Sequence, residues 1–446
     1  MSLIFAYDVA NPKSWKGRPT TNYLVTSSFG QSFGMGRSDR RPFNSTSHSG
    51  NGKIVQGTGF TFTPGSAQRI PEKPVDEDCE IWFVRDSNPD QYSRFSPYNG
   101  INIDNDLPSY DVSYVCSTYI YLPPNVTLGN SNDCPVAQNT TGTDWHTGGS
   151  TTATYNATYN FWAANIRNSQ STANTSQRGS WQRIWNRFTP SSTVRDQEVG
   201  ITINRLGGFM RPNLVGQAQE NYYFVAASQI ELGTTPSPYV YGSRTNTDSL
   251  LDVTGNYTIT QNNLTYNDDN TFSFDGTDDY LTLSTPITLS SSSATLSCWA
   301  FVDDFTTGKS NPGRTLIRFT ANNYQRLIAF YDGGIGFETN TNSDPLDVSG
   351  NTGPDYFMSG ITSQSWFQFT IVFNSGTAYL YSNGNFISSV AIADNLTFDR
   401  IGDGTGFLDS YPGFMKGKIS EMKVYDTPLT SDEIKKDYES SKYKYL

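Results

Sequence analysis

Residues 366–384 read WFQFTIVFNSGTAYLYSNG, and this stretch decides the fold class. Trp366–Phe373 is a short run of aromatic, β-branched and apolar residues, the composition of a strand. Ala378–Tyr381 alternates apolar and aromatic residues at period 2, which predicts a second strand. Asn383-Gly384 then supplies the residue pair that a two-residue type I′ hairpin turn requires, because both positions need positive φ. Strand, strand and hairpin turn follow one another with nothing helical between them.

The same pattern extends outward in both directions. Thr271–Phe274, Tyr280–Leu283, Ala294–Phe301, Arg314–Phe319, Arg326–Phe330 and Lys418–Tyr425 read as further strands of residues 244–446. Residues 23–243 carry another set: Glu80–Val84, Ser113–Leu122, Trp181–Phe188, Val199–Asn204 and Tyr222–Ile230. Strands this short, joined by polar turns, predict β-sandwiches rather than a propeller or solenoid. The prolines and small polar residues of Gly233–Asp248 mark the boundary between the two modules. Residues 1–22 open with a strand-like segment, Met1–Tyr7, and continue as a polar lead-in that serves as a candidate attachment or subunit-pairing segment. One helix is predicted near the C-terminus, over Ser431–Tyr438, capped by Thr430 with Asp432 and Glu433 in its first turn. The fold class is therefore all-β: two tandem β-sandwich (jelly-roll) domains with a short C-terminal helix.

Composition supports this and excludes several functions. Hydrophobic residues make up 35% of the 446 residues and charged residues 16%, yet there are 27 Tyr and 27 Phe, enough ring area to build cores. The net charge of −11, with no basic cluster, argues against nucleic-acid binding. No apolar run reaches the ~20 residues of a membrane-spanning helix, and no signal-peptide pattern precedes the first strand. Four cysteines (Cys79, Cys116, Cys134, Cys298) include no CxxC pair, and with two histidines a zinc site is poorly supplied. Isolated thiols are expected, with one disulfide among the first three as the alternative. The Asn-x-Ser/Thr sequons, from Asn44 to Asn395, are what chance gives in a chain this rich in Asn and Thr.

Several motifs together resemble known families. Phe274–Leu281 (FDGTDDYL), Ala294–Phe301 (ATLSCWAF), the 366–384 hairpin region, Lys416–Asp426 (KGKISEMKVYD) and Pro428–Ile434 follow the order seen in laminin G-like, concanavalin A-like sandwiches. The resemblance covers nearly all of residues 249–446. The first module resembles carbohydrate-binding-module-like jelly rolls, through Gly179–Arg183 (GSWQR) and Gln229–Gly233 (QIELG) followed by Pro238-Tyr239. These elements, the lead-in and Leu250–Tyr257 (LLDVTGNY) also resemble minor structural or tail proteins of bacteriophages, especially marine and cyanobacterial ones.

Candidate site residues follow from chemistry. A sugar-binding surface needs ring faces for stacking, and the loop aromatics Trp145, Tyr155, Tyr159 and Tyr411 are the glycan-binding candidates. Trp299 and Trp366 alternate with apolar residues and are expected in the core. The sequence calls for no cofactor, but related sandwiches often bind calcium at loop rims. Asp275, Asp278 and Asp279, or Asp104-Asn105-Asp106, offer oxygens for it without an EF-hand spacing, and Asp278 and Asp279 are equally explained as turn formers. Catalytic residues are not expected. The string Asp76-Glu77-Asp78-Cys79-Glu80 imitates the paired carboxylates of a glycoside hydrolase but reads as a loop entering a strand. His48 and His146 read as solvated loop residues, without the glycine elbow of a nucleophilic triad.

The reading is a phage virion structural protein, a tail or neck fibre, baseplate appendage or head decoration. It is assembled in the host cytoplasm, and its partners are other virion proteins, copies of itself (trimers being common in fibres) and a host-surface glycan. A glycan-binding receptor-binding protein is the runner-up, and a polysaccharide depolymerase comes third.

Overall fold

The structure is a computed structural model. It describes residues 2–23, 52–54, 72–77, 79, 81–85, 101–102, 108–109, 111–124, 177–188, 205–206, 222–304, 314–318, 327–331, 334–337, 355–359, 361–392, 395–403 and 413–446. The chain is predominantly strand, arranged in antiparallel sheets with a short C-terminal helix, as the sequence predicts. It divides into two compact units: Met1–Pro19 with Arg244–Leu446, and Thr20–Ser243. The segment read as a lead-in is thus shared, and its first 19 residues belong to the C-terminal unit.

The C-terminal unit is a sandwich of an eight-stranded and a seven-stranded antiparallel sheet. In the larger sheet the strand Ser293–Val302 lies between Trp366–Asn374 and the closing strand Lys416–Tyr425. Period 2 sends Leu296, Cys298 and Ala300 of the first, Phe367, Phe369 and Ile371 of the second, and Met422 and Val424 of the third into one core. The smaller sheet meets them with residues such as Leu281, Ile287, Leu316, Phe398 and Ile401.

The far edge of the closing strand is shared. Phe272–Asp275 pairs at its start, through Phe274 and Gly417, and the N-terminal strand Leu3–Asp8 continues the edge from Glu421 to Tyr425. Phe5 and Tyr7, fully buried, belong to the same core. The first strand of the chain therefore completes the sandwich that the last strand closes.

The helix spans Ser431–Ser441, one turn beyond the sequence expectation, and carries a capping box. Thr430 N–H donates to Glu433 Oε2 at 2.8 Å, and Glu433 N–H donates back to Thr430 Oγ1 at 3.4 Å.

In the other unit, the described strands form a five-stranded antiparallel sheet in which Tyr222–Leu232 lies beside Tyr114–Tyr121 and Ile81–Arg85, with Trp181–Phe188 on an edge. A short pair, Ile101–Asn102 with Arg205–Leu206, accompanies it. The QIELG motif is structural here. Buried Glu231 accepts from Ser237 N–H at 2.7 Å and Gln229 Nε2 at 2.7 Å, while Gln229 Oε1 accepts from Val240 N–H at 2.9 Å. The two side chains pin the segment that leaves the last strand. Trp181 of GSWQR donates to the Glu72 carbonyl at 2.6 Å and packs its ring on Tyr121.

Candidate functional site

Three constellations in the C-terminal unit carry chemistry. The first is the loop that links Phe272–Asp275 to Tyr280–Leu289. Gly276, at φ +87°, turns the chain, and a Cβ there would stand 3.0 Å from Arg314 Nη1. Asp279 Oδ2 accepts from Asp275 N–H at 2.7 Å, Asp275 Oδ1 from Thr277 N–H at 2.7 Å, and Asp278 Oδ2 from Asn263 Nδ2 at 2.9 Å. These bonds bring one oxygen of each carboxylate within 4.8 Å of the others. Asp275 and Asp278 are exposed, whereas Asp279 is buried and its Oδ1 has no hydrogen-bond partner. Burial, with the neighbouring charges of Asp275 and Asp278 adding to it, pushes the Asp279 carboxyl up to about 6 against the bond from Asp275 N–H. The loop thus meets the turn-former expectation and also gathers three hard oxygens. Calcium takes about six to eight oxygen ligands, so this set fits as an incomplete shell that water or carbonyls would finish.

The second is an exposed group of rings. Thr377–Ser382 and Asn385–Ala391 form the predicted hairpin, with Asn383 at φ 47° and Gly384 at φ 76°, the left-handed pair of a type I′ turn. Tyr381 faces Phe386 and Leu380 faces Ser388, so Ile387 is an extra residue, a β-bulge. The bulge leaves Phe386 at 55% exposure and Ile387 at 44%. The Phe386 ring sits 5.6 Å from that of Tyr381, at 70°, and 6.5 Å from that of Tyr379. Ser389, exposed and paired with Tyr379, lies on the same face as these rings. The sequence reading missed this platform. Its one sequence signal is Phe386-Ile387, two adjacent large apolar residues directly after the turn, where strict alternation would allow one.

The third lies beneath the C-terminal helix. Trp299 is fully buried, as predicted, but among the outer-face side chains rather than in the inter-sheet core. Cys298 and Ala300 point inward, so period 2 sends Trp299 outward. Trp366 is only half-buried, for the same reason, and packs on Tyr445. Across three strands Trp299 lies level with Gln368 and Glu421, and Ser297 with Thr370 and Lys423. The helical segment covers both rows. Trp299 Nε1 donates to Ser441 Oγ at 2.8 Å, and its ring stacks on Tyr438 and Tyr445 at 5.8 and 4.6 Å. Lys423 bridges Glu421 at 2.5 Å and Asp437 at 2.7 Å, and Lys444 reaches Asp8 at 2.6 Å and Glu421 at 3.2 Å. Burial pulls the Lys423 ammonium down, but Glu421 and Asp437 outweigh it and hold the group above its ordinary value.

The glycan candidates Trp145, Tyr155, Tyr159 and Tyr411 lie outside the described residues, as do Asp104–Asp106, His48, His146, Asp78 and Glu80. Cys298 is a buried free thiol, and Cys134 lies outside the described residues. Among the described residues no helix is long and apolar enough to cross a membrane.

Comparisons with known proteins match a family model within the C-terminal unit and solved structures over less than half of the chain. Residues 275–435 match the family model of the concanavalin A-like lectin/glucanases superfamily. No curated protein matches the chain. Among solved structures, domain 4 of an extracellular arabinanase from Geobacillus stearothermophilus, in complex with arabinotriose, is 19% identical, with 42% of this chain and 90% of that one covered and a TM-score of 0.30. The botulinum neurotoxin serotype D/C binding domain is 17% identical, with 44% of this chain and 50% of that one covered and a TM-score of 0.31. That of serotype G is 18% identical, with 44% and 49% covered and a TM-score of 0.31. The chain thus spans about half the length of these toxin binding domains. The unit formed by Arg244–Leu446 and Met1–Pro19 has a concanavalin A-like β-sandwich fold.

Proposed function

We propose that this chain is a non-catalytic recognition protein whose C-terminal sandwich binds a glycan on the platform of Phe386, Tyr381 and Tyr379. The observation that carries the reading is the exposure of Phe386 beside two tyrosine rings, in a unit that matches a lectin-containing superfamily. A flat ring offers a sugar its apolar face, while Ser389, paired with Tyr379 on the same face, supplies an edge-on polar group. The test is a glycan array probed with the full chain and with Phe386→Ala. Binding that survives the substitution unchanged removes the platform from the reading, and an array without signal removes glycan recognition.

The setting we propose is a phage particle, as a tail or neck fibre, baseplate appendage or head decoration, assembled as a homo-oligomer with other virion proteins. Its support is the sequence resemblance of both modules and the lead-in. Cryo-electron microscopy of a particle carrying this chain would count its copies and place it.

Calcium at Asp275, Asp278 and Asp279 is a further proposal, supported by the convergence of the three carboxylates and the unpartnered Asp279 Oδ1. Isothermal titration with calcium, against Asp278→Asn, tests it; no heat from the wild-type chain refutes it.

A further inference from the structure

The polar face beneath the C-terminal helix has the makings of a ligand site in its own right. Asp437 of the helix is received there by three donors from three different strands. Lys423 Nζ stands at 2.7 Å, Gln368 Nε2 at 2.8 Å and Ser297 Oγ at 3.3 Å. Three convergent donors, one of them charged, make a carboxylate slot. Beside it the Trp299 indole presents a ring face and an N–H donor, both taken up by the helical segment through Tyr438, Tyr445 and Ser441. Gln368, at 1% exposure, keeps an Oε1 acceptor that the helix leaves without a donor.

The cover is also an unusual one. A helix packed permanently on a sheet buries an apolar stripe, but Ser431–Ser441 buries only Ile434 and Ser441. Ile434 packs with Val372 and Leu429 and Tyr438 stacks on Trp299, while Asp437 and Ser441 make the ion pair and hydrogen bonds. Buried ion pairs add little net stability over their desolvation, and a ligand bringing the same groups would replace them one for one.

We propose that the sheet face bearing Ser297, Trp299, Gln368 and Lys423 is a binding site for a carboxylate-bearing saccharide, and that the helical segment occupies it as an internal stand-in. A uronate carboxylate takes the place of Asp437, the sugar ring lies on the Trp299 indole, and a hydroxyl donates to Gln368 Oε1. The proposal rests on the glycan reading and carries it inward along the same sheet face, where Phe386 lies on the edge strand in the row of Tyr381, Thr370, Ser297 and Lys423, and to acidic sugars.

The experiment uses the full chain and two probes, trigalacturonate and the neutral galactotriose, with binding read by calorimetry. Asp437→Ala combined with Ser441→Ala removes the two polar stand-in groups, is expected to loosen the helical segment that carries Tyr438 and Tyr445, and leaves every sheet residue in place. At least a tenfold gain in affinity for trigalacturonate is expected, with none for galactotriose, and adding Lys423→Gln abolishes the gain. A folded double variant without the gain, or with an equal gain for the neutral sugar, overturns the proposal. Hydrogen exchange on the wild-type chain decides it if the double variant does not fold. Helix amides exchanging well before those of Ser293–Val302 support a cover that opens, and exchange only with global unfolding overturns it. Neutral-glycan binding by the wild-type chain reports on the Phe386 platform, so either site can fail alone.

Discussion

The Asp252 carboxylate accepts a hydrogen bond at 2.9 Å from the backbone N–H of Ala6, which lies 246 positions away in the chain. The same carboxylate takes Thr254 N–H at 3.0 Å, Thr254 Oγ1 at 2.6 Å, Asn256 N–H at 3.0 Å and Tyr257 N–H at 3.1 Å. Thr254 Oγ1 and Asn256 Nδ2 in turn donate to the Ile4 carbonyl. The LLDVTGNY phrase is thus a clamp that fastens the first strand of the protein to its C-terminal sandwich.

Asp252→Ala leaves several part-buried N–H groups without an acceptor, at about 1–3 kcal/mol for each that water cannot reach. A total loss of about 3 kcal/mol is expected in urea denaturation. A loss under ~1 kcal/mol would mean the loop holds its shape without the clamp.

Deleting residues 1–19 strips Phe5 and Tyr7 from the core and bares one edge of the closing strand. Two fully buried rings are worth roughly 1.5–3 kcal/mol each, a large part of the stability of an ordinary domain. The fragment 244–446 is therefore expected to be aggregation-prone by light scattering. A synthetic peptide of residues 1–19 should restore a cooperative thermal transition. A fragment already as stable as the full chain would contradict this.

Gly417 sits at φ +134° where Lys416–Tyr425 begins, and a Cβ there would stand only 2.0 Å from the Phe301 carbonyl oxygen. Backbone on backbone has nowhere to yield. Gly417→Ala should cost more than about 3 kcal/mol or prevent folding, read by soluble yield and melting temperature.

Asp304 bridges Arg314 and Lys416, each at 2.6 Å. Partial burial raises its carboxyl, but bonds from Lys416 and Arg314 outweigh that and hold it below the ordinary value. A depressed folded value favours the ionised form, so the stabilisation is present above the unfolded carboxylate pKa and disappears as pH falls through the folded one. Its side chain is 46% exposed, so water and salt screen the pair. Asp304→Asn should lower stability at pH 7 by no more than ~1 kcal/mol. The difference should shrink below pH ~4 and in high salt.

Phe386→Ala removes a ring that is already more than half in water. Stability should change by under ~0.5 kcal/mol, while affinity for an array-identified glycan should fall at least tenfold. Equal losses in both would make Phe386 a packing residue.

The strands of residues 366–382, the Asn383-Gly384 turn, the Thr430 cap and the burial of Trp299 were all legible in the sequence. Each rests on an interaction within a few residues: side-chain period, the φ demands of a turn, or a side chain bonding its own helix. The three aspartates were legible as a group because one tight turn holds them together. Phe386 was not, since a bulge breaks the alternation that predicts which residues face inward.

Tertiary structure alone decided which partners those elements met. Period 2 sorts Trp299 from Cys298 onto opposite faces, but it does not say that a helix from the end of the chain will cover the outer one. Nor does it say that Leu3–Asp8 pairs with Glu421–Tyr425, joining the first strand to the last. Local sequence sets backbone shape through short-range forces. Contacts between residues hundreds of positions apart are chosen by how all the buried surfaces and hydrogen bonds are satisfied at once.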